Sequence, residues 1–559
     1  DYTIEYSSDS GTTWTTFTDG TSTTASTTVT GLAHSTTYTF RVSAVNAAGT
    51  GTTSDTASVM SATTPDAPTG LSGTKGFDQV VLEWTAPSSD NGSAVTDYMI
   101  EYSSDSGTTW TTFADGTSTT ASATVTGLSH STTYTFRVSA VNVLGTGTPS
   151  ETASVATRAL TTKALGSTYS RSTSVAIGAD DKPIVAGYFV GGSNIWVLAC
   201  ADTSCSSAPG SGLMNGTAAG RFLSMIIGAD GNPVIVYYDQ TNADLKVAAC
   251  ADSTCSFGSS RTITTLDSTG DVGSYNSIVL GADNNPVIAY YDATNLDLKV
   301  AACSNPTCTS ATITNLTPGV EPEDSPTEPH GVYNSVAIGA DGNPIISYHH
   351  GPSHGGLKVA ACSNPTCTTA TLRAIALTPT SLSGYQTGLN TSIGIGADDL
   401  PIIAFTRDAL GQLGQGPDLR VAVCEDSTCS TANAHLAGPL TAGADITTIA
   451  SVGGLENAFG GIETHEEERG TQIAVGTDGI PVIVKQDVTS PYAVSLIECG
   501  NAHCNSGNTL VTIDDGVGST GGRHAAVSLA IRESDNARVV SYVSGGLEGT
   551  LKIAILEGP

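Results

Sequence analysis

The sequence predicts an all-β chain, most of it a ring of repeated four-stranded sheets. A unit opening on a GAD-type turn recurs from Ser174 onward, and six times the unit carries two cysteines separated by four residues. No segment shows a sustained helical period or a long apolar stretch, which argues against a helical domain and a membrane span.

The units align as SVAIGADDKPIVAGY (174 to 188), SMIIGADGNPVIVYY (224 to 238), SIVLGADNNPVIAYY (277 to 291), SVAIGADGNPIISYH (335 to 349), SIGIGADDLPIIAF (392 to 405) and QIAVGTDGIPVIVK (472 to 485). VSLAIRESDNARVVSY (527 to 542) is a degenerate seventh. The glycines Gly178, Gly228, Gly281, Gly339, Gly396 and Gly476 lie 50, 53, 58, 57 and 80 residues apart. That period suits propeller blades and exceeds that of short solenoid repeats.

Each element of the unit has a local reason. An apolar run meets an Asp-Gly-Asn or Asp-Asn-Asn turn, and Pro opens the next run, which is hairpin punctuation with Pro at a strand start. The runs are nearly continuous, as expected of strands covered on both faces. A third strand follows as LKVAAC or a variant, and its alanines (Ala248, Ala249, Ala301, Ala302, Ala360, Ala361) let sheets approach closely. A fourth follows the second Cys, as in CTSATITNL. Four strands make one blade.

The seventh unit stops at its third strand, LKIAILEGP, and RALTTKALG (158 to 166) resembles the missing fourth. Residues 160 to 164 are therefore expected to pair with 551 to 556, because closing a ring with both chain ends removes sheet edges that invite aggregation. The expectation for 158–559 is a seven-bladed β-propeller with split-blade closure.

The cysteine pairs are Cys200 and Cys205, Cys250 and Cys255, Cys303 and Cys308, Cys362 and Cys367, Cys424 and Cys429, and Cys499 and Cys504. A four-residue turn sets its flanking cysteines within disulfide reach. Metal is the competing reading, but two thiolates per blade leave a four-ligand site incomplete. Each small loop contributes roughly 2 kcal/mol on the chain-entropy model. Disulfides imply an oxidising location, extracellular or on the cell surface.

The first 157 residues repeat differently. Residues 1–62 and 97–158 align without a gap at 11 differences in 62 positions, a tandem array. From Asp66 to Thr157 the chain reads VVLEW with Trp84, DYMIEY, GLSHSTTY (Gly127 to Tyr134) and TYTFRVSAVN. This resembles a fibronectin type III domain with its tyrosine corner, Leu128 as core partner and Tyr134 reaching back by its hydroxyl. The resemblance implies a seven-stranded sandwich over 63–157, a spacer or adhesion module without catalytic residues, and a partial copy over 1–62 holding strands C to G. Asp1 aligns with Asp97, so strands A and B of the first copy are expected from upstream residues, or from a neighbouring subunit by strand addition.

The SSDSGTTW segments at Ser7 and Ser103 match the Asp-box of sialidase-type propellers. Here they fall in the C to C′ hairpin, where Asp and Gly serve the turn and Trp packs on the sandwich. No sialidase meaning is assigned.

With 21 Lys and Arg against 52 Asp and Glu, the net charge of −31 repels nucleic acid and anionic membranes. The second-to-third strand loops pair aromatic and acidic residues: Tyr237, Tyr238 and Asp239, then Tyr290, Tyr291 and Asp292. That mix suits sugar sites, although its recurrence in ordinary blades favours a structural role. His349, His350 and His354 are a weak transition-metal candidate, with a polar loop favoured. Glu463, Glu466, Glu467 and Glu468 lack the ligand spacing of a known calcium loop, and a solvated acidic insertion is expected. The other insertion, 320 to 332, is like it a candidate for partner docking. No cofactor and no catalytic constellation are expected.

The propeller units resemble GADG-P-V-I-x-Y and LKVAxC repeats of uncharacterised secreted bacterial proteins, which implies the fold without an activity. The expected function is a non-enzymatic structural or adhesive component of a bacterial cell surface, such as the repeating subunit of an extracellular fibre, with self-association or cell-surface glycans as partners. A glycan-binding propeller and a secreted glycoside hydrolase with fibronectin-like spacers are the alternatives.

Overall fold

The computed structural model describes residues 1–189, 194–212, 219–255, 261–318, 329–351, 356–377, 385–409, 418–430, 446–451, 470–486, 493–504, 508–515, 527–544 and 549–559. The chain is divided into two compact units, Asp1–Ala159 together with Pro559, and Leu160–Gly558. Among the described residues no helix is long and apolar enough to cross a membrane.

In the first unit, Thr69–Lys75, Gln79–Thr85 and Ser122–Thr126 form a three-stranded sheet. Asp97–Ser103, Thr111–Phe113, Thr133–Asn142, Gly145–Pro149 and Ala153–Ala156 form a five-stranded one. Between them lies a core of Val80, Leu82, Trp84, Tyr98, Ile100, Val125, Phe136 and Val138. Strand alternation explains the set: in QVVLEWT the buried positions are every second residue, Val80, Leu82 and Trp84. The tyrosine corner forms as expected, with the Ser129 N–H donating to the Tyr134 hydroxyl at 3.0 Å and Leu128 buried beside it.

The first copy repeats the five-stranded sheet with Tyr2–Ser7, Thr15–Phe17, Thr37–Asn46, Gly49–Thr50 and Ala57–Met60. Its Asp-box turn and that of the second copy are built alike. Asp105 accepts from the Ser103 hydroxyl at 2.7 Å, the Thr109 N–H at 2.8 Å and the Thr109 hydroxyl at 2.7 Å. Trp110 lies under the Arg137 guanidinium at 4.1 Å, and Arg137 grips Glu101 at 2.7 and 3.0 Å. The motif is a hairpin brace.

In the second unit each sheet runs from first to fourth strand through antiparallel neighbours. Five sheets have four strands, for example Val272–Leu280, Pro286–Asp292, Asp297–Cys303 and Ala311–Asn315. The remaining sheet has seven strands because Leu160–Ile177 is one continuous 18-residue strand with two partners. Its opening residues pair with the last strand of the chain, Leu160 opposite Leu556 through Ala164 opposite Lys552. Its later residues pair with Pro183–Phe189, Thr173 opposite Gly187 through Ile177 opposite Pro183. The pairing expected between 160–164 and 551–556 is present, and it merges what the repeat count treats as the first and last sheets.

The first strands of successive sheets pack against one another, and Val527–Arg532 packs back on Leu160–Ile177, so the order of contact returns to its start. A first strand at a sheet edge has a neighbour on one side only, and its other edge presents N–H groups with no ladder partner. Side chains of the adjacent sheet accept them. The Met225 N–H donates to Ser174 at 3.1 Å, Val336 to Ser277 at 3.2 Å, Ile393 to Ser335 at 3.3 Å and Ile473 to Ser392 at 3.1 Å. Leu529 donates to the Gln472 side chain at 2.8 Å and Val175 to Ser528 at 3.0 Å.

All six cysteine pairs lie at disulfide distance, with Cα atoms between 4.6 and 5.1 Å apart. In every pair the second Cys is left-handed, as at Cys308 (φ 51°), and its N–H donates to the carbonyl three residues back, as from Cys308 to Asn305 at 3.0 Å.

Two outcomes test these contacts. Ser335→Ala leaves the Ile393 N–H buried and unsatisfied, and urea unfolding is expected to show a loss of about 1–3 kcal/mol. The Ser103 hydroxyl, the Thr109 N–H and the Thr109 hydroxyl together lower the Asp105 pKa from 3.8 to about 2. The contribution of this turn is therefore present above the ordinary carboxylate range and is lost as pH falls toward 2. In a carboxyl NMR titration, Ser103→Ala is expected to move the Asp105 midpoint up toward 3.8.

Candidate functional site

The second unit has two unlike ends. One holds the GAD turns and the cystine turns. The other is where first strands begin and second strands end.

At that second end the first strands open on a pattern absent from the sequence reading: GRFLS (220–224), GSYNS (273–277), GVYNS (331–335) and GLNTS (388–392). Each pattern makes a bulge, seen as register shifts between Arg221 and Ser224, Ser274 and Ser277, Val332 and Ser335, and Leu389 and Ser392. Each opening glycine has positive φ and sits against the preceding sheet. A Cβ at Gly388 (φ +82°) would lie 2.7 Å from Leu357 Cα, and one at Gly273 (φ +108°) 2.8 Å from Leu245 Cα. Only glycine fits that approach.

Two residues on, the backbone is left-handed again: Phe222 (φ 52°), Tyr275 (φ 52°), Tyr333 (φ 53°) and Asn390 (φ 50°). Asn tolerates this region, whereas a bulky aromatic there is a genuine outlier. The three aromatics come from consecutive sheets and meet in a row. Ring centroids of Phe222 and Tyr275 are 4.6 Å apart, and those of Tyr275 and Tyr333 are 4.9 Å apart. Behind them stand Tyr238, Tyr291 and His349, at 6.3 Å from Phe222, Tyr275 and Tyr333 respectively. Tyr275 is buried, while Phe222, Tyr333 and Tyr238 are partly exposed.

The six residues singled out in the second-to-third strand loops divide by strand parity. Tyr237 and Tyr290 are fully buried and point into the sheet interfaces. The Tyr290 hydroxyl donates to Asp267 at 2.8 Å, on the outermost strand of the preceding sheet. Asp239 and Asp292 are buried and hold the turns, Asp292 by accepting from the N–H groups of Thr294 and Asn295 at 3.1 and 3.0 Å. Tyr238 and Tyr291 join the aromatic row instead. The Tyr238 hydroxyl donates to the exposed Asp271 carboxylate at 2.9 Å, and burial followed by this bond raises its pKa.

Lys299 ties the interface together, 2.6 Å from Asp267 and 3.3 Å from Asp292. Burial opposes the Asp267 charge, but Lys299, the Thr269 N–H and the Tyr290 hydroxyl outweigh it and its pKa is lowered. The final sheet repeats the device, with Lys552 2.7 Å from Asp514 and the Tyr542 hydroxyl on the same carboxylate.

His349 and His350 follow one another along a strand and so face opposite ways. His350 Nδ1 lies 2.7 Å from His330 Nδ1 in a buried pair, and His354 lies outside the described residues. Glu463, Glu466, Glu467 and Glu468 also lie outside them, as do 320–328 of the other insertion. Among the described residues no group of three or more His, Cys, Asp or Glu is placed to hold a metal ion.

Residues 1–60 and 66–156 match the Fibronectin type III domain family. Solved structures similar to parts of this chain include the following. A crystal structure of titin domains is 27% identical over 28% of this chain and 55% of that chain, with a TM-score of 0.20. A myokine structure is 20% identical over 17% and 98%, with a TM-score of 0.15. Titin kinase with its flanking domains is 22% identical over 25% and 30%, with a TM-score of 0.16. The chain thus spans about half of the first titin fragment and less than a third of the second.

The charge at the sheet interface gives a direct test. Lys299→Met strands two buried carboxylates, and denaturant unfolding at neutral pH is expected to show a loss of about 3–5 kcal/mol. Because the Asp267 pKa is lowered, wild-type stability from this group is present above the ordinary carboxylate range and falls with acid; the variant is expected to lose that part of its pH dependence.

Proposed function

We propose that this chain is an extracellular structural or adhesive protein, in which tandem fibronectin type III sandwiches serve as spacers for a seven-bladed β-propeller over residues 158–559. The observation that carries the reading is the single strand Leu160–Ile177, which pairs with the last strand of the chain and with the second strand of the first repeat. Counted by repeat, it is the outer strand of blade seven and the inner strand of blade one. Such a seam resists fraying because neither the first nor the last strand of the unit can peel away without breaking a shared ladder.

The rest of the molecule supports durability over turnover. Six cystine turns, charged residues spent on interfaces, and near-identical sandwiches suit a scaffold outside the cell. The reading is non-enzymatic, and it includes self-association into a fibre through a heterologous contact, which propagates when it does not close. A glycan-binding role is the second reading, favoured by the row of aromatic side chains on the bulges.

Negative-stain microscopy of the oxidised chain is the test. Class averages are expected to show a seven-lobed ring, with ordered arrays at high concentration. An open arc or another lobe number overturns the propeller. A chain that stays monomeric and adheres to no cell surface overturns the structural role.

A further inference from the structure

We propose that the bulge end of the second unit carries a binding site for a neutral saccharide, built on Phe222, Tyr275 and Tyr333 with Tyr238 and Asp271 at its rim. Such a site rests on the glycan-binding reading and is independent of self-assembly.

Strain is the first ground. Three aromatics in consecutive sheets sit at φ near +52°, a conformation that costs of order 1–3 kcal/mol for such a residue and persists where surroundings over-determine it. The fold does not require an aromatic there, since Asn390 fills the equivalent place with little penalty. The bulge turns these side chains out of the strand alternation and gathers them at one end of the sheets.

Chemistry is the second ground. Phe222 and Tyr333, each a partly exposed residue, flank the buried Tyr275, and the Tyr275 and Tyr333 hydroxyls bond one another. Beside Phe222, Tyr238 donates to Asp271, leaving an exposed carboxylate to accept further hydrogen bonds. Ring faces take the C–H faces of a pyranose, and a carboxylate accepts from its hydroxyls. The charges acting on the Tyr238 hydroxyl are two carboxylates, Asp271 and Asp239, against one cation, Arg221, and the chain as a whole carries −31. That balance selects an uncharged, hydroxyl-rich ligand over a phosphate, sulfate or uronate.

The test uses the full oxidised chain and calorimetric titration with unsubstituted glucan, mannan and chitin oligosaccharides, a sulfated glycan, and a proline-rich peptide. Saturable binding to at least one neutral oligosaccharide is expected, with none to the sulfated glycan. Phe222→Asn and Tyr333→Asn copy the natural occupant at Asn390, so both are expected to fold with an unchanged or higher Tm. Each is expected to weaken binding by about tenfold or more, and Asp271→Asn by less. No binding to any neutral member, or binding indifferent to both Asn variants in folded protein, overturns the proposal. Capture of the proline-rich peptide in place of a saccharide overturns it in favour of a peptide groove.

Discussion

The first strand of each four-stranded sheet in the second unit has one edge without a ladder partner, and the packing of neighbouring sheets depends on how its N–H groups are satisfied. A buried unpaired amide costs as much as a lost hydrogen bond or more. Ser174, Ser277, Ser335, Ser392, Gln472 and Ser528 each accept an N–H from a neighbouring sheet's first strand. A hydroxyl is short enough to leave the sheets close-packed and polar enough to replace a ladder. The serine that opens SVAIGAD, SIVLGAD and SIGIGAD is thus a joint between first strands of neighbouring sheets.

The same economy shows at the outer interfaces. Asp267 receives Lys299 and Tyr290 from the next sheet, and Asp514 receives Lys552 and the Tyr542 hydroxyl. A buried carboxylate is tolerated because a cation and a hydroxyl reach it together. Such pairs contribute register more than strength, since a sheet displaced by one residue would leave all three groups unpaired.

Much of the strand order was legible because its signals are local. Asp-Gly-Asn-Pro punctuation, the spacing of the cysteines, and the Gly-Leu-Ser-His-Ser-Thr-Thr-Tyr corner act within a few residues. The bulges were not legible, because Phe222, Tyr275 and Tyr333 read as ordinary apolar residues at a strand start. Their signal was the repeated glycine two places before each of them, together with Asn390 in the fourth copy, an Asn where apolar alternation asks for none. The Tyr-Tyr-Asp loops were half legible: alternation separates Tyr237 and Tyr290 from Tyr238 and Tyr291, but only the bulges determine what the second pair meets. In the sandwiches, sequence identity did not carry burial. Val138 is fully buried beneath the three-stranded sheet, while its counterpart Val42 is 37% exposed.

The two ends of the second unit face opposite demands. At the turn end, a Cβ at Gly231 would lie 3.6 Å from Ala179 Cβ and one at Gly342 3.3 Å from Ala282 Cβ, so adjoining turns already touch. Asn536 reaches Asp478, and Arg532 donates to the Thr203 carbonyl at 2.8 Å, linking the degenerate seventh repeat to its neighbours on both sides. A tight turn end fixes the positions of the first strands. Residues at their other end can then adopt costly conformations without loosening the whole, because the restraint is supplied elsewhere. Strained aromatics on bulges need such a base, and that division gathers Phe222, Tyr275 and Tyr333 at the end proposed for saccharide binding.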